Sequence, residues 1–263
     1  KNVDYTILEA IIRRPHKIHE LLPIAQQIDS NVTNDDIETT LKILDHRFFS
    51  VTINKTYGNP IINIIDDEVR VTDTFSSALE KTVFKTYVDD IIELAKYNNM
   101  VHHGNQNGLL LYNKYTRKDF VKLLNWKSDE SGTINGYKFG NNTLPIFITY
   151  HKQDDISDNT KYEDEFLSPD ELKWFTRSNR TLESKEVQKI LAHQENNIDM
   201  YIFVKKEDVA DGKEFYYLGK AHYIKDSAEQ TIMPNAKQQN IVTMTLSMES
   251  PVKDEIYRYI IET

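Results

Sequence analysis

Four clusters of aromatic and polar residues carry side chains from which a binding or reactive site could be built. The first, Thr149-Tyr150-His151-Lys152, ends an apolar run from Leu144 to Ile148. The second is Tyr162-Glu163-Asp164-Glu165-Phe166. At strand period two, Tyr162, Asp164 and Phe166 share one face, and Glu163 and Glu165 share the other. That face suits either a pocket for a flat, hydrogen-bonding ligand or a core with one buried acid, and the spacing fits both. The third cluster runs from Trp174 and Phe175 through Thr176, Arg177, Ser178, Asn179 and Arg180 to Thr181. Arginine binds phosphate bidentately, and hydroxyl and amide side chains add neutral donors. The same residues also describe a solvated loop whose aromatics sit in the core. The fourth is Phe215-Tyr216-Tyr217-Leu218-Gly219, where Tyr216 and Tyr217 must face opposite ways, so at most one joins a given pocket. Lys205-Lys206, Lys114, Arg117, Lys118 and Lys122 supply scattered positive charge.

Signatures of catalysis are missing. There is no Gly-rich phosphate loop ending in Gly-Lys-Ser/Thr, no Gly-x-Ser-x-Gly elbow and no His-Glu-x-x-His helix. Asp66-Asp67-Glu68 and Asp154-Asp155 fall in turn-like contexts, where solvated acids are the expectation rather than a Mg²⁺ site. His102-His103 would alternate sides on an extended chain and have no carboxylate nearby, which argues against a metal site. With Cys 0, disulfides, zinc ribbons, thiol catalysis and iron–sulfur clusters are excluded, and a reducing cytosol is the expected compartment. A non-catalytic chain without metal or cofactor is the expectation.

The 263 residues are 39% hydrophobic and 28% charged, proportions of a globular protein of one large or two smaller domains. Net charge is -9, from 32 basic against 41 acidic residues. That balance rules out a uniformly basic nucleic-acid binder, but not a basic face on an acidic body. No apolar run is long enough to span a bilayer. The chain opens at Lys1 rather than Met, as a piece of a longer protein would.

Residues 1 to about 47 read as three helices. Tyr5, Leu8, Ile11 and Ile12 recur at helical spacing before Pro15. His16 to Gln27 follows with Ile18, Leu21, Leu22 and Ala25, and Thr33 caps a third helix through Leu44. Phe48 to Ile53 alternates like a strand, Tyr57-Gly58-Asn59-Pro60 is a turn, and Ile61 to Ile65 reads as the returning strand. Three helices and a hairpin make a winged-helix pattern. Its third helix carries Asp35, Asp36, Glu38 and Asp45, which would repel phosphates, so docking or linking is expected of this module rather than groove reading.

Residues 68 to 99 are expected to be mainly helix, and residues 102–108 the linker. Beyond it, a helix from Thr116 and another at Ser184 to Gln194 interrupt strand-like runs at 136–139, 144–151, 200–206, 214–224 and 241–248. Many strands without strand–helix alternation predict a curled or barrel-like α+β domain. The expected domains are 1–100 and 108–263.

In order, Tyr150-His151-Lys152, Tyr162 to Phe166, Trp174 to Ser178, Phe203-Val204-Lys205-Lys206 and Phe215 to Gly219 resemble a known family. It is the domain at the C-terminus of large bacterial type IV restriction endonucleases, which join a phospholipase-D-like nuclease, a helicase and this tail. The resemblance covers about Gly108 to Met248 and implies a recognition domain for DNA with modified cytosine, methylated or hydroxymethylated. It also implies an SRA/PUA-like pseudo-barrel gripping an extruded base. A flipped base is stacked on aromatic faces and read at its Watson–Crick edge. The implied pocket is Tyr150, His151, Tyr162, Asp164, Trp174 and Tyr217. From side-chain chemistry, Tyr150 and Tyr162 are the expected stacking residues, Asp164 the expected acceptor for the cytosine amino group and Trp174 a wall or methyl contact. Lys152, Arg177, Ser178, Arg180, Thr181 and Lys205 form the implied DNA-backbone set. The implied partners are double-stranded DNA and the nuclease and helicase domains, with no membrane. The rival expectations are a module coupling a nuclease–helicase to another protein, and a PUA-like reader of RNA.

Overall fold

The computed structural model describes residues 1–103, 108–151, 164–207, 211–233 and 238–262. It divides into two compact units, residues 1–109 with 118–131, and residues 110–117 with 132–263.

The first unit begins with α1 (Asn2–Arg13), β1 (His16–Lys17), α2 (Ile18–Gln26) and α3 (Asn34–Leu44). Thr33 caps α3: its hydroxyl accepts from the Asp36 amide, and the Asp36 carboxylate accepts from the Thr33 amide at 2.9 Å. Asp36 therefore points inward instead of adding to a phosphate-repelling face, and Lys1 Nζ and Asn125 also donate to it. Burial works against its ionisation, yet the Lys1 ammonium and these donors outweigh it and hold the carboxyl down at about 2. Val3, Ile7, Ile11, Leu21, Ile37, Leu41, Ile62 and Val69 form the core.

The segment expected as a strand at 48–53 is instead the start of α4 (Val51–Tyr57), capped by Ser50. The hairpin is β2 (Ile62–Ile65) with β3 (Glu68–Val71), closed by Asp66 and Asp67 at φ 47° and 67°. Both residues take the left-handed conformation that a two-residue hairpin turn requires. With the turn there, β2 pairs forward in sequence, and residues 48–53 have no strand to return to. β1 adds to β3, giving the antiparallel order β1-β3-β2. The helical expectation for 68–99 is corrected at its start by β3; α5 (Asp73–Leu79) and α6 (Thr82–His103) follow. α6 runs through the expected linker as far as His103.

The second unit holds β4 (Lys114–Tyr115), β5 (Thr143–Thr149), β6 (Glu165–Ser168), β7 (Glu171–Phe175), β8 (Asp199–Lys205), β9 (Phe215–Tyr223), β10 (Glu229–Ile232) and β11 (Asn240–Met248). A helix, α7 (Arg117–Leu123), lies between β4 and β5 in sequence; α8 (Lys185–Leu191) precedes β8 and α9 (Asp254–Ile261) follows β11. The sheet runs β5-β8-β9-β11-β7-β6, with β10 on β11 and β4 on β9. Only β5–β8 is a parallel pair among the described strands. Among the described residues the path is open, with β5 and β6 at its ends, so no backbone ladder closes the expected barrel there. Residues 136–139 make isolated bridges rather than a strand.

Alternation along the strands sorts the side chains. Leu144, Ile146, Ile148, Met200, Ile202 and Val204 enter a core with Leu172, Trp174, Leu246, Val187 of α8 and Ile260 of α9. On the opposite face, Phe147, Phe203, Phe215 and Tyr217 pack ring to ring. A bulge shifts the β8–β9 register between Ile202 and Phe203, where Gly219 stands at φ 110°. The bulge reverses the parity of β9: Leu218 enters the core, and so does Ala221 three residues on.

No described helix is long and apolar enough to cross a membrane.

Candidate nucleic-acid interface

Tyr150 follows β5 directly, and its amide donates to the Lys205 carbonyl at 2.9 Å, extending the parallel pairing by one residue. This leaves its ring over Phe166 of β6, with centroids 5.8 Å apart and planes 30° apart. The Phe166 amide donates to the Tyr150 hydroxyl at 3.3 Å. His151 is held next to it: its ring lies edge-on to Tyr150, and Nε2 donates to the Ile260 carbonyl at 2.9 Å.

Asp164, just before β6, accepts a hydrogen bond from the Phe175 amide at 3.0 Å on Oδ1. It thereby ties the start of one hairpin strand to the end of the other. Trp174 points from β7 into the core, 3% exposed and edge-on to Tyr137 at 5.0 Å. This corrects its expected role as a pocket wall: it supports the site from within.

After β7 the chain crosses to β11, where Thr176 and Val242 exchange hydrogen bonds, and then enters the arginine loop. Arg177 and Arg180 both donate to Glu186 of α8, Arg180 Nε at 2.8 Å. The Arg177 guanidinium also lies 4.5 Å from the Tyr137 ring centre. Burial opposes ionisation of Glu186, but bonds from Arg177, Tyr137 and Arg180 outweigh it and lower its pKa. Burial, with Glu186 adding to it, pushes the Tyr137 phenol up to about 12. Thr181 is tied to Ser184 through its amide at 2.9 Å, and Ser178 is half-buried.

Tyr150, His151 and Asp164 are therefore brought together around the start of β6, and the 176–181 segment continues in sequence from the Asp164 contact at Phe175. Two expected members are not brought there. Tyr217 is buried on the opposite face of the sheet, packed against Phe203 and Tyr201, because the bulge fixes its side. Lys205 is buried on that face as well; its ammonium donates to the Gly212 carbonyl at 2.7 Å and lies 4.6 Å from the Phe215 ring centre. Neither is placed to meet a ligand at Tyr150. Tyr162 and Lys152 lie outside the described residues.

The sequence reading missed Tyr137 and Glu186. Glu186 was visible only as an acid in the first turn of a helix, where the dipole alone explains it. Its role appears once residues 177–180 fold back over α8. Among the described residues, no group of three or more His, Asp or Glu is arranged to hold a metal.

The second unit is thus a mixed, open sheet flanked by helices, with an aromatic–carboxylate–arginine neighbourhood at one edge. The family described as Domain of unknown function (DUF3427) matches residues 109–260, more than half of the sequence, and the chain belongs to it. A second, Domain of unknown function (DUF8090), matches residues 1–103. No curated protein matches the sequence.

Among solved structures, the chain is similar to the DNA recognition domain of the cytosine modification-dependent restriction endonuclease LpnPI. Identity is 11% over 53% of this chain and 73% of that one, with a TM-score of 0.33. It is also similar to the MspJI restriction endonuclease in complex with a 27-mer oligonucleotide, at 11% identity over 56% of this chain and 44% of that one, TM-score 0.35. The type IV phosphorothioation-dependent restriction endonuclease ScoMcrA aligns at 8% identity over 99% of this chain and 55% of that one, TM-score 0.36.

Proposed function

We propose that the second unit is a recognition module for DNA containing 5-methylcytosine or 5-hydroxymethylcytosine, part of a modification-dependent restriction system and without catalysis of its own. The observation that carries this reading is the Tyr150–Phe166 ring pair at the sheet edge, with Asp164 two residues from Phe166. The half-buried Tyr150 ring, backed by the buried Phe166, supplies an aromatic face, and Asp164 a carboxylate acceptor beside it. A base leaving the duplex needs stacking to offset an extrusion cost of a few kilocalories. Cytosine presents an amino donor at its Watson–Crick edge, and a carboxylate accepts from it where thymine offers a carbonyl instead. A carboxylate takes more than one donor, so the Phe175 amide and a cytosine amino group are compatible at Asp164. Tyr162 belongs to this proposal as the second stacking ring.

Arg177 and Arg180, with Ser178, Thr181 and Lys152, are the proposed backbone contacts. Their pairing with Glu186 supports a surface that binds unmodified duplex weakly, because phosphate must compete with a carboxylate already in place. The finer resemblance, to the tail of the staphylococcal type IV restriction endonuclease SauUSI, supports the same reading. It makes a nuclease and a helicase on a longer chain the proposed partners and the cytoplasm the proposed location. For the first unit the proposal is a winged-helix-like docking module, supported by the order α1-β1-α2-α3-α4-β2-β3, with α4 inserted before the hairpin, and by the antiparallel β1-β3-β2 sheet. Glu38 on α3 and Asp45 at its C-cap favour docking over groove reading.

The test is fluorescence anisotropy of the chain against matched duplexes carrying cytosine, 5-methylcytosine or 5-hydroxymethylcytosine in several flanking contexts at fixed salt. Preference for a modified duplex, abolished in Asp164→Asn, is the expected result. The asparagine keeps an oxygen for the Phe175 amide while removing the charge. Equal affinity for all duplexes in every context overturns the reading.

A further inference from the structure

α6 carries an apolar seam whose side chains are more than half exposed. Tyr87, Ile91, Leu94 and Val101 are 63%, 61%, 59% and 53% exposed. With Asn98, also exposed, they fall at spacings of four, three, four and three residues: the d-a-d-a-d positions of a heptad, with Asn98 at a. The helix is anchored by its other side. Ile92 is buried, and Lys96 donates to Glu9 of α1. An open groove of about 450 Å³ borders the seam, with Lys1 and Tyr5 on the α1 side and Ile91, Leu94, Ala95 and Asn98 among its α6 lining.

We infer that α6 is a homodimerisation helix, pairing in parallel with α6 of a second copy of this chain. The argument for a second copy is the register. A single asparagine at an a position costs stability unless it meets another asparagine, and in a parallel, in-register pair Asn98 meets its own counterpart across the two-fold axis. A partner of unrelated sequence would leave that amide facing apolar side chains. The flanking g and e positions agree: in register, Val83 meets Val88 and Asp90 meets Ala95, so no like charges meet there. The seam spans about 22 Å, short for a free coiled coil. Here, however, the helix is already formed and fixed on α1, so pairing has no nucleation cost. Val83 and Met100, both at least half exposed, extend the apolar surface beyond the seam.

The inference is independent of the DNA reading and is tested without DNA. Analytical ultracentrifugation of the chain across the micromolar range should show a reversible dimer of the 30.8 kDa protomer. Ile91→Asp with Leu94→Asp should raise its dissociation constant about a hundredfold or more, with unchanged circular dichroism because both positions are exposed. The chain has no cysteine, so Leu94→Cys gives a single reporter. In a parallel pair d meets d, and mild oxidation should yield a covalent dimer; the exposed control Glu93→Cys should not. A monomer at every concentration overturns the inference, as does a dimer that survives the double aspartate variant. A dimer that Leu94→Cys fails to cross-link overturns the parallel register.

Discussion

The ring of Tyr150 lies on the ring of Phe166, 5.8 Å between centroids, and the Tyr150 hydroxyl accepts the Phe166 amide. β5 and β6 are the two ends of the sheet path, so this side-chain contact brings its ends together where no backbone ladder between them is present among the described residues. The same contact draws the ends of the sheet together and backs the proposed stacking face of Tyr150 with the buried Phe166. Substitutions at Tyr150 should separate these roles.

Tyr150→Phe keeps the ring and removes the acceptor of the Phe166 amide. It should cost about 1 kcal/mol of stability and speed exchange of that amide, while affinity for modified duplex stays within about threefold. Tyr150→Ala should lose the stack as well, weakening binding by about 1–3 kcal/mol. Urea unfolding, amide exchange and anisotropy read the three quantities. Loss of binding in Tyr150→Phe equal to that in Tyr150→Ala would show that the hydroxyl, not the ring, meets the ligand.

Glu186 restrains both arginines of the loop. Glu186→Gln should release them and raise affinity for unmodified duplex, with the slope of log K against log salt steeper by about one to two. The pH dependence follows from the lowered pKa of Glu186: its ion pairs are complete above the ordinary carboxylate range and are lost as pH falls through the lower folded value. An unchanged salt slope in Glu186→Gln would remove Arg177 and Arg180 from the backbone set.

His193 is buried and neutral. Its Nδ1–H donates to the Ile198 carbonyl at 3.0 Å, and Nε2 accepts from the Tyr223 amide at 3.2 Å, a pattern that fixes the tautomer. Burial lowers its pKa from 6.5, and His222 adds to the effect. The unfolded chain therefore takes up this proton first as pH falls. Stability from this residue is complete above about pH 7 and declines below 6.5, by at most about 1.4 kcal/mol per pH unit. Melting temperatures between pH 7.5 and 5 should fall less steeply in His193→Gln; equal slopes would count against the assignment.

Gly219 stands at φ 110° in the β9 bulge, with the Leu111 side chain 3.1 Å from where a Cβ would lie. Leu111 can move, but the backbone conformation cannot be kept cheaply by alanine. Gly219→Ala should cost about 1–3 kcal/mol in urea unfolding. A neutral effect would mean that the bulge is free to relax.

Much of this was legible in the sequence where a periodic pattern met a local signal. Thr33 and the acids after it announced α3, and the runs at 144–151, 200–206 and 241–248 became β5, β8 and β11 with ends displaced by one or two residues. Residues 48–53 misled because Val51, Thr52 and Ile53 favour strands, while Ser50 caps a helix and the Asp66-Asp67 turn takes the hairpin elsewhere. Hairpin β6–β7, β10 and α9 were not anticipated. At the site, the aromatic and acidic clusters could be read residue by residue. The side on which Tyr217 and Lys205 lie could not, since it depends on parity along the strands and on one bulge. The Glu186 pairing was equally invisible, being a contact between a loop and a helix that sequence alone does not align.

The strand order has a consequence for biosynthesis. β11 is the last of the described strands of this sheet in sequence, yet it lies in the interior of the sheet, between β9 and β7. Until residues 240–248 have left the ribosome, β7 with β6 has no neighbour to join it to β5, β8 and β9. The proposed recognition surface at Tyr150 and Asp164 is therefore assembled late, once β11 is available. A nascent or truncated chain lacking β11 should expose the apolar faces of two unfinished half-sheets and depend on chaperones until that strand arrives.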